Sequence, residues 1–194
     1  MTTKENTNQT PGSWSPDGKA LVFGEISQAT AADIWALRFD GDRKPQPLLA
    51  SPANEGNAKL SPDGRWLAYT SDESGRSETY VQPFPQSGRK WQVSTDGGDE
   101  PVWSRNGREL FYTNGDRLMA VDVTTQAIFS VGSPRLLFQG RYAHSTTSSA
   151  GYDVSPDGRR FLRVQPIEPD PPNNQINVVI NWFEELKRIA PVGK

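Results

Sequence analysis

Ser15-Pro16-Asp17-Gly18, Ser61-Pro62-Asp63-Gly64 and Ser155-Pro156-Asp157-Gly158 repeat one tetrapeptide three times, and Ser104-Arg105-Asn106-Gly107 is a degenerate copy between the second and the third. Successive copies lie 46, 43 and 51 residues apart, the range in which an internal period signals propeller blades or comparable stacked repeats. The motif has the chemistry of a turn. Pro fixes φ at the first central position, Asp bonds its own backbone, and Gly takes the positive φ that swings the chain into the next strand. The degenerate copy keeps Asn106 and Gly107, the residues best able to hold that geometry, and loses only the proline. On this reading Asp17, Asp63 and Asp157 are turn residues, not catalytic carboxylates.

Working outward from the turns, each unit reads as four short strands, A to D. Strand A leads into the turn at residues 12–15, 57–61, 101–104 and 151–155. Strand B follows at 20–24, 66–71, 109–113 and 160–164, and strand C at 33–39, 79–84, 118–123 and 176–182. Period-two alternation with β-branched and aromatic enrichment supports B and C. Strand D, at 46–49, 90–94 and 134–138, rests on its place in the repeat. Trp14, Leu60, Trp103 and Val154 share one position before the turn, and Phe23, Tyr69 and Tyr112 recur on strand B. Bulky residues at matched positions are most simply blade-to-blade packing, because an isolated blade cannot bury its own face. Tyr142 and Tyr152 break this pattern.

Composition agrees with a turn-rich β-protein. Only 34% of the 194 residues are hydrophobic, while 17 Gly and 16 Pro supply turns. Six Trp, eight Phe and five Tyr at regular positions argue against disorder. The net charge of −2, with 21 basic and 23 acidic residues and no basic stripe, disfavours a nucleic-acid partner. The absence of Cys removes disulfides, thiolate metal sites and a Cys nucleophile. Residues 1–10 lack the apolar core of a signal peptide, and no run of about 18 apolar residues suits a membrane span. No membrane insertion is therefore expected. The compartment is left open: cytoplasmic for the chain as it stands, with a periplasmic parent protein as the alternative.

Trp14-Ser-Pro-Asp-Gly-Lys-Ala-Leu-Val-Phe and Leu60-Ser-Pro-Asp-Gly-Arg-Trp-Leu-Ala-Tyr-Thr-Ser resemble the TolB-type (PD40, WD40-like) β-propeller repeat. The similarity runs from Pro11 to about Trp182. The tail from Ile176 is similar to the ending of propeller regions in bacterial multidomain proteins, some with a Ser/Thr kinase domain upstream. No kinase motif occurs in this chain. The resemblance implies an all-β fold, a β-propeller of about four four-stranded blades near residues 11–50, 57–95, 100–139 and 151–182. A short C-terminal helix is expected at 183–189. Its acidic start (Glu184, Glu185) and basic end (Lys187, Arg188) suit the helix dipole. Propellers of this family usually have more than four blades. The chain is therefore read as a small ring completed by an N-terminal stub at Met1–Thr3, a half-propeller completed by homodimerisation, or a piece with open edges. Association is the favoured alternative.

No catalytic constellation stands out. There is no G-x-S-x-G elbow, and His144 is the only histidine, next to Ser145, Ser148 and Ser149 in a polar loop. The D-to-A connections carry Asn54-Glu55-Gly56-Asn57 and Asp96-Gly97-Gly98-Asp99-Glu100. In a propeller these gather at one mouth of the central channel, where converging oxygens suit Ca²⁺, Mg²⁺ or a basic group on a partner. The expected function is a non-catalytic module binding a protein or small-molecule ligand, without an obligatory cofactor, through Glu55, Asn57, Asp99, Glu100, His144 and Tyr152. A metal-dependent or loop-based hydrolase in the channel and a structural fragment of a larger sensor are the alternatives.

Overall fold

The structure is a computed structural model that describes residues 7–27, 32–85, 88–125, 129–143 and 150–165. All regular secondary structure among them is strand. Blade one is the antiparallel meander β1 (Thr7–Trp14), β2 (Ala20–Ser27), β3 (Ala32–Arg38) and β4 (Pro45–Leu49). Blade two repeats it with β5 (Glu55–Leu60), β6 (Trp66–Ser71), β7 (Glu78–Pro83) and β8 (Trp91–Gln92). Blade three has β9 (Asp99–Trp103), β10 (Glu109–Asn114) and β11 (Arg117–Thr124), with both β12 (Ser130–Val131) and β13 (Arg135–Gln139) pairing on β11. Blade four contributes β14 (Tyr152–Val154) and β15 (Phe161–Arg163).

The turns form as their sequence requires. In each Ser-Pro-Asp-Gly copy the Ser hydroxyl donates to the Asp carboxylate and accepts the N–H five residues on, as Ser61 does with Asp63 (2.6 Å) and Trp66 (3.0 Å). The glycines stand at φ near 70°, a conformation without steric cost only for Gly. Asn106 fills the Asp role in the degenerate copy, accepting from Ser104 and from Arg108 N–H. Hydrogen bonds from Ser15 and Ser155 first, then from backbone N–H groups, hold the Asp17 and Asp157 carboxyls below the usual range. All three aspartates are turn residues.

Some strands differ from expectation. β1 begins at Thr7, so residues 7–11, which precede the strand A expected from residue 12, belong to that strand and pair with the lengthened end of β2. β8 is only two residues long, because only Trp91 and Gln92 pair with β7. β12 was not anticipated: Val131 and Ser130 pair with the far end of β11. The expected stub at residues 1–3, His144, strand C of blade four and the helix at 183–189 lie outside the described residues.

Alternation along each middle strand decides which blade it faces. On β6, Leu67 and Tyr69 pack with Val22 and Ile34 of blade one, whereas Ala68 packs with Trp103, Leu110 and Tyr112 of blade three. On β10, Leu110 and Tyr112 face blade two and Phe111 faces blade four with Tyr152 and Phe161. The core is thus three inter-blade clusters in series. Among the described residues no buried apolar cluster joins blade one to blade four. Nor is any described helix long and apolar enough to cross a membrane.

Candidate functional site at the channel mouth

The first strands of successive blades stand side by side around the centre. Leu60 N–H donates to Ser13 Oγ (3.1 Å), Trp103 Nε1–H to Lys59 O (3.0 Å) and Lys59 Nζ to Gly12 O (3.1 Å). Each of the first three blades enters this wall through the same bulge. One extra residue is accommodated opposite Phe23, Tyr69 and Tyr112, between Pro11 and Ser13, Gly56 and Lys59, and Asp99 and Val102. Asn57 and Glu100 occupy the matched position in blades two and three, and both have φ of 52°. A left-handed backbone at a non-Gly residue needs local support.

Asp99 supplies that support for Glu100. Its Oδ1 accepts the Glu100 N–H (2.8 Å), Asn57 Nδ2–H (2.6 Å) and the Thr70 hydroxyl (2.9 Å). Glu100 O in turn accepts the Tyr152 hydroxyl (3.0 Å). Asn57, Asp99, Glu100 and Tyr152 thus form one relay across blades two, three and four. Tyr152 lies in the blade three–four cluster, 7% exposed, and burial drives its hydroxyl pKa well up. Its ring therefore docks blade four and does not face the mouth as a stacking platform.

Glu55 sits apart from this relay. It is 2% exposed, and its Oε1 accepts the Ser51 hydroxyl. Oε2 has no hydrogen-bond partner among the described residues. Burial pushes the Glu55 carboxyl up; the bond from Ser51 opposes this, and Asp33 and Glu73 add to the rise. The structure therefore brings four of the six expected residues together, buries Glu55 against the Asp33 side, and does not describe His144.

The D-to-A connections expected at this end meet the β6–β7 turn here. Asn54 N–H and Nδ2–H donate to Asp72 (2.8 and 2.6 Å), tying the loop before β5 to the β6–β7 turn. Arg76 donates to Glu78 Oε1 (2.7 Å) and pairs with Asp96 (3.4 Å), while Glu78 also accepts from Ser94 and from Gly97 N–H (3.1 Å). Glu78, 1% exposed, is a loop anchor that sequence reasoning missed; Arg76 two residues before it was the available signal. Lys59 was also missed, a lone charge between buried Ala58 and Leu60 on a wall strand. Burial lowers its pKa, and Asp153 of blade four partly restores it. Over the loop anchors lies a cleft of about 280 Å³ between residues 97–100, Ser77 and the turn at 113–115. Among the described residues, no three His, Asp or Glu side chains group in a way that could hold a metal ion.

The PD40 family, the TolB beta propeller domain, matches residues 1–164. The chain belongs to the TolB-type β-propeller family. The protein TolB homolog of Chlorobium chlorochromatii is 29% identical over 165 residues, 76% of this chain and 32% of that one. Among solved structures, a putative TolB from Agrobacterium tumefaciens superposes with a TM-score of 0.61 at 20% identity, covering 83% of this chain and 59% of that one. TolB from Acinetobacter baumannii gives 0.60 at 17% identity, covering 86% and 45%. The chain thus spans between about a third and three fifths of the length of these TolB-type relatives. At these identities the two solved structures speak for the fold alone.

Proposed function

We propose that this TolB-type propeller chain is a non-catalytic binding module whose channel mouth holds a protein or small-molecule partner through a cationic group. The supporting observation is the cleft over residues 97–100, with Asp99 and Glu100 among its walls and its floor fixed by the Glu78 and Asp99 hydrogen bonds. A floor held from two blades is preorganised, so a ligand need not spend free energy ordering it. Asp72, Glu73, Asp96, Asp99, Glu100 and Asp116 lie at this end against Arg76, Lys90 and Arg117, a balance that favours a positive partner. Asp96 is 83% exposed beside its Arg76 partner and presents its carboxylate to solvent.

The test is a peptide array of lysine- and arginine-bearing sequences with acidic counterparts as controls, read with the labelled chain. Cationic peptides should be retained, with retention lost as salt is raised and weakened by Glu100→Gln and Asp96→Asn. Equal retention of acidic peptides, or indifference to both substitutions, overturns the reading. Addition of Ca²⁺ or Mg²⁺ reports whether an ion competes for the same oxygens.

A further inference from the structure

A second site lies in the junction of blades three and four and does not depend on the mouth carboxylates. Eight residues after the Ser of each turn, strand B carries Phe23, Tyr69 and Tyr112, and in blade four Arg163. Arg163 faces blade three. It alternates with the exposed Leu162 and shares a face with Phe161, whose ring meets Phe111 at 5.1 Å and Phe138 at 5.6 Å. The repeat thus puts a permanent cation where its other blades put a ring.

The two tyrosines that break the repeat pattern accompany this exchange. Tyr152 stands where Gly12, Ala58 and Pro101 stand in the other blades, and it is the partner of Arg163 in the β14–β15 register. The Arg163 guanidinium carbon lies over the Tyr152 ring at 5.5 Å and over the Tyr142 ring at 4.2 Å. The backbone fixes Tyr142 there. Ala143 N–H donates to Val164 O (2.9 Å), and a β-carbon on Gly140 would lie 2.8 Å from Tyr142 Cε2. The rings attract the charge through their faces but give its N–H groups no oxygen acceptor. Nε, Nη1 and Nη2 are all buried, and none has a hydrogen-bond partner among the described residues. Arg38, Arg65, Arg76 and Arg135, in contrast, each pair with a carboxylate of the chain. A buried guanidinium with its five donors unmet is a costly arrangement, and a bound acceptor relieves it.

We propose that Arg163 anchors a site for a small carboxylate in the blade three–four junction. The carboxylate is planar and accepts two parallel N–H bonds from the guanidinium fork, a match that a tetrahedral oxyanion or a halide makes less well. Tyr142, half-buried, is the outer wall of the site. A ligand enters by turning that ring aside, which selects a small molecule over a folded partner.

Acetate is the probe. Urea unfolding in acetate and in chloride at equal ionic strength separates binding from screening. Each tenfold rise in acetate above its dissociation constant should raise the ratio of folded to unfolded chain about tenfold, and phosphate should do much less. Arg163→Tyr, which restores the aromatic of the other blades, should abolish the acetate response. Arg163→Lys keeps the charge without the fork and should lose most of it. In the unmodified chain the Arg163 Nε–H proton resonance, identified by its absence from Arg163→Lys, should move downfield as acetate is added. That measurement decides the matter even where Arg163→Tyr fails to fold. Asp96→Asn, which weakens the mouth, should leave the acetate response intact, so the two sites fail separately. An unmoved resonance, an equal response to phosphate, or an acetate response that survives in Arg163→Tyr would each overturn the proposal.

Discussion

Replacing Asp99 tests whether the relay at the mouth is a structural latch. Asp99→Ala removes an oxygen that accepts three hydrogen bonds, two of them from Asn57 and Thr70 of blade two. Thr70 is 6% exposed, and Glu100 loses the acceptor that holds its N–H at φ 52°. A buried donor left without a partner costs about 1–3 kcal/mol. Asp99 is only half-buried, so water can replace part of the loss, and the sum should be about 2–4 kcal/mol. Asp99→Asn keeps an acceptor but loses charge assistance, and should cost about 1 kcal/mol. Equilibrium urea unfolding gives both values as midpoint shifts at constant slope. A double-mutant cycle with Asn57→Ala should show coupling of about 1 kcal/mol. The latch is refuted if Asp99→Ala falls within about 0.5 kcal/mol of the unmodified chain, or if the cycle closes without coupling.

The repeat glycines separate strain from contact. Gly18→Ala meets open space and pays only for its positive φ, about 1 kcal/mol. Gly64→Ala should cost more by urea unfolding, since its β-carbon would also lie 3.0 Å from Pro16 Cδ. At Gly98 a β-carbon would overlap Ser94 Oγ and lie 2.5 Å from Ser94 Cβ. Gly98→Ala should therefore cost about 3 kcal/mol, and a smaller loss would mean that the loop over the cleft yields. Glu55 sets a pH dependence. Folding raises its carboxyl pKa, chiefly by burial, so the native state holds the proton more tightly. Its contribution is fully present below the ordinary glutamate value and is lost as pH rises through the raised native value. Glu55→Gln should flatten that slope, gaining on the unmodified chain as pH climbs through the window. A difference constant with pH would show that burial does not govern this group.

The arc of blades was legible because turn chemistry is local. Ser, Asp or Asn and Gly make their contacts within five residues, so Ser15-Pro-Asp-Gly announces its geometry without its neighbours. The same holds for strand B, whose alternating Trp66–Ser71 segment was readable to the residue. Strand ends were less so. β1 reaches back to Thr7 only because β2 runs on to Ser27, and neither extension has a turn residue to mark it. The mouth was half legible. Its loops could be placed from the repeat, but Asn57 and Asp99 are 42 residues apart, and no local pattern announces their bond. Beyond Arg76 two residues before it, nothing local marked Glu78, because its other partners, Ser94 and Gly97, come from a loop that only the closed hairpin brings back.

The bulge at the start of strand A explains why the mouth is where this repeat can carry function. In blades one to three the backbone departs at the same place, opposite Phe23, Tyr69 and Tyr112, whose rings lie on blade faces. The matched residues there are Pro11, Asn57 and Glu100, which share almost no chemistry. Core positions behave in the opposite way: Leu67 and Leu110 are the same residue because each faces the preceding blade. A position with fixed backbone and varied side chain is one that packing does not dictate. Asn57 spends its amide on Asp99, and Glu100 accepts the Tyr152 hydroxyl of blade four through its carbonyl. Glu100→Gln keeps the side chain's size at this buried position and removes its charge, and it should weaken capture of a cationic peptide. Loss of stability without loss of capture would place the carboxylate in the scaffold and move the binding reading to the exposed carboxylates of the neighbouring turns.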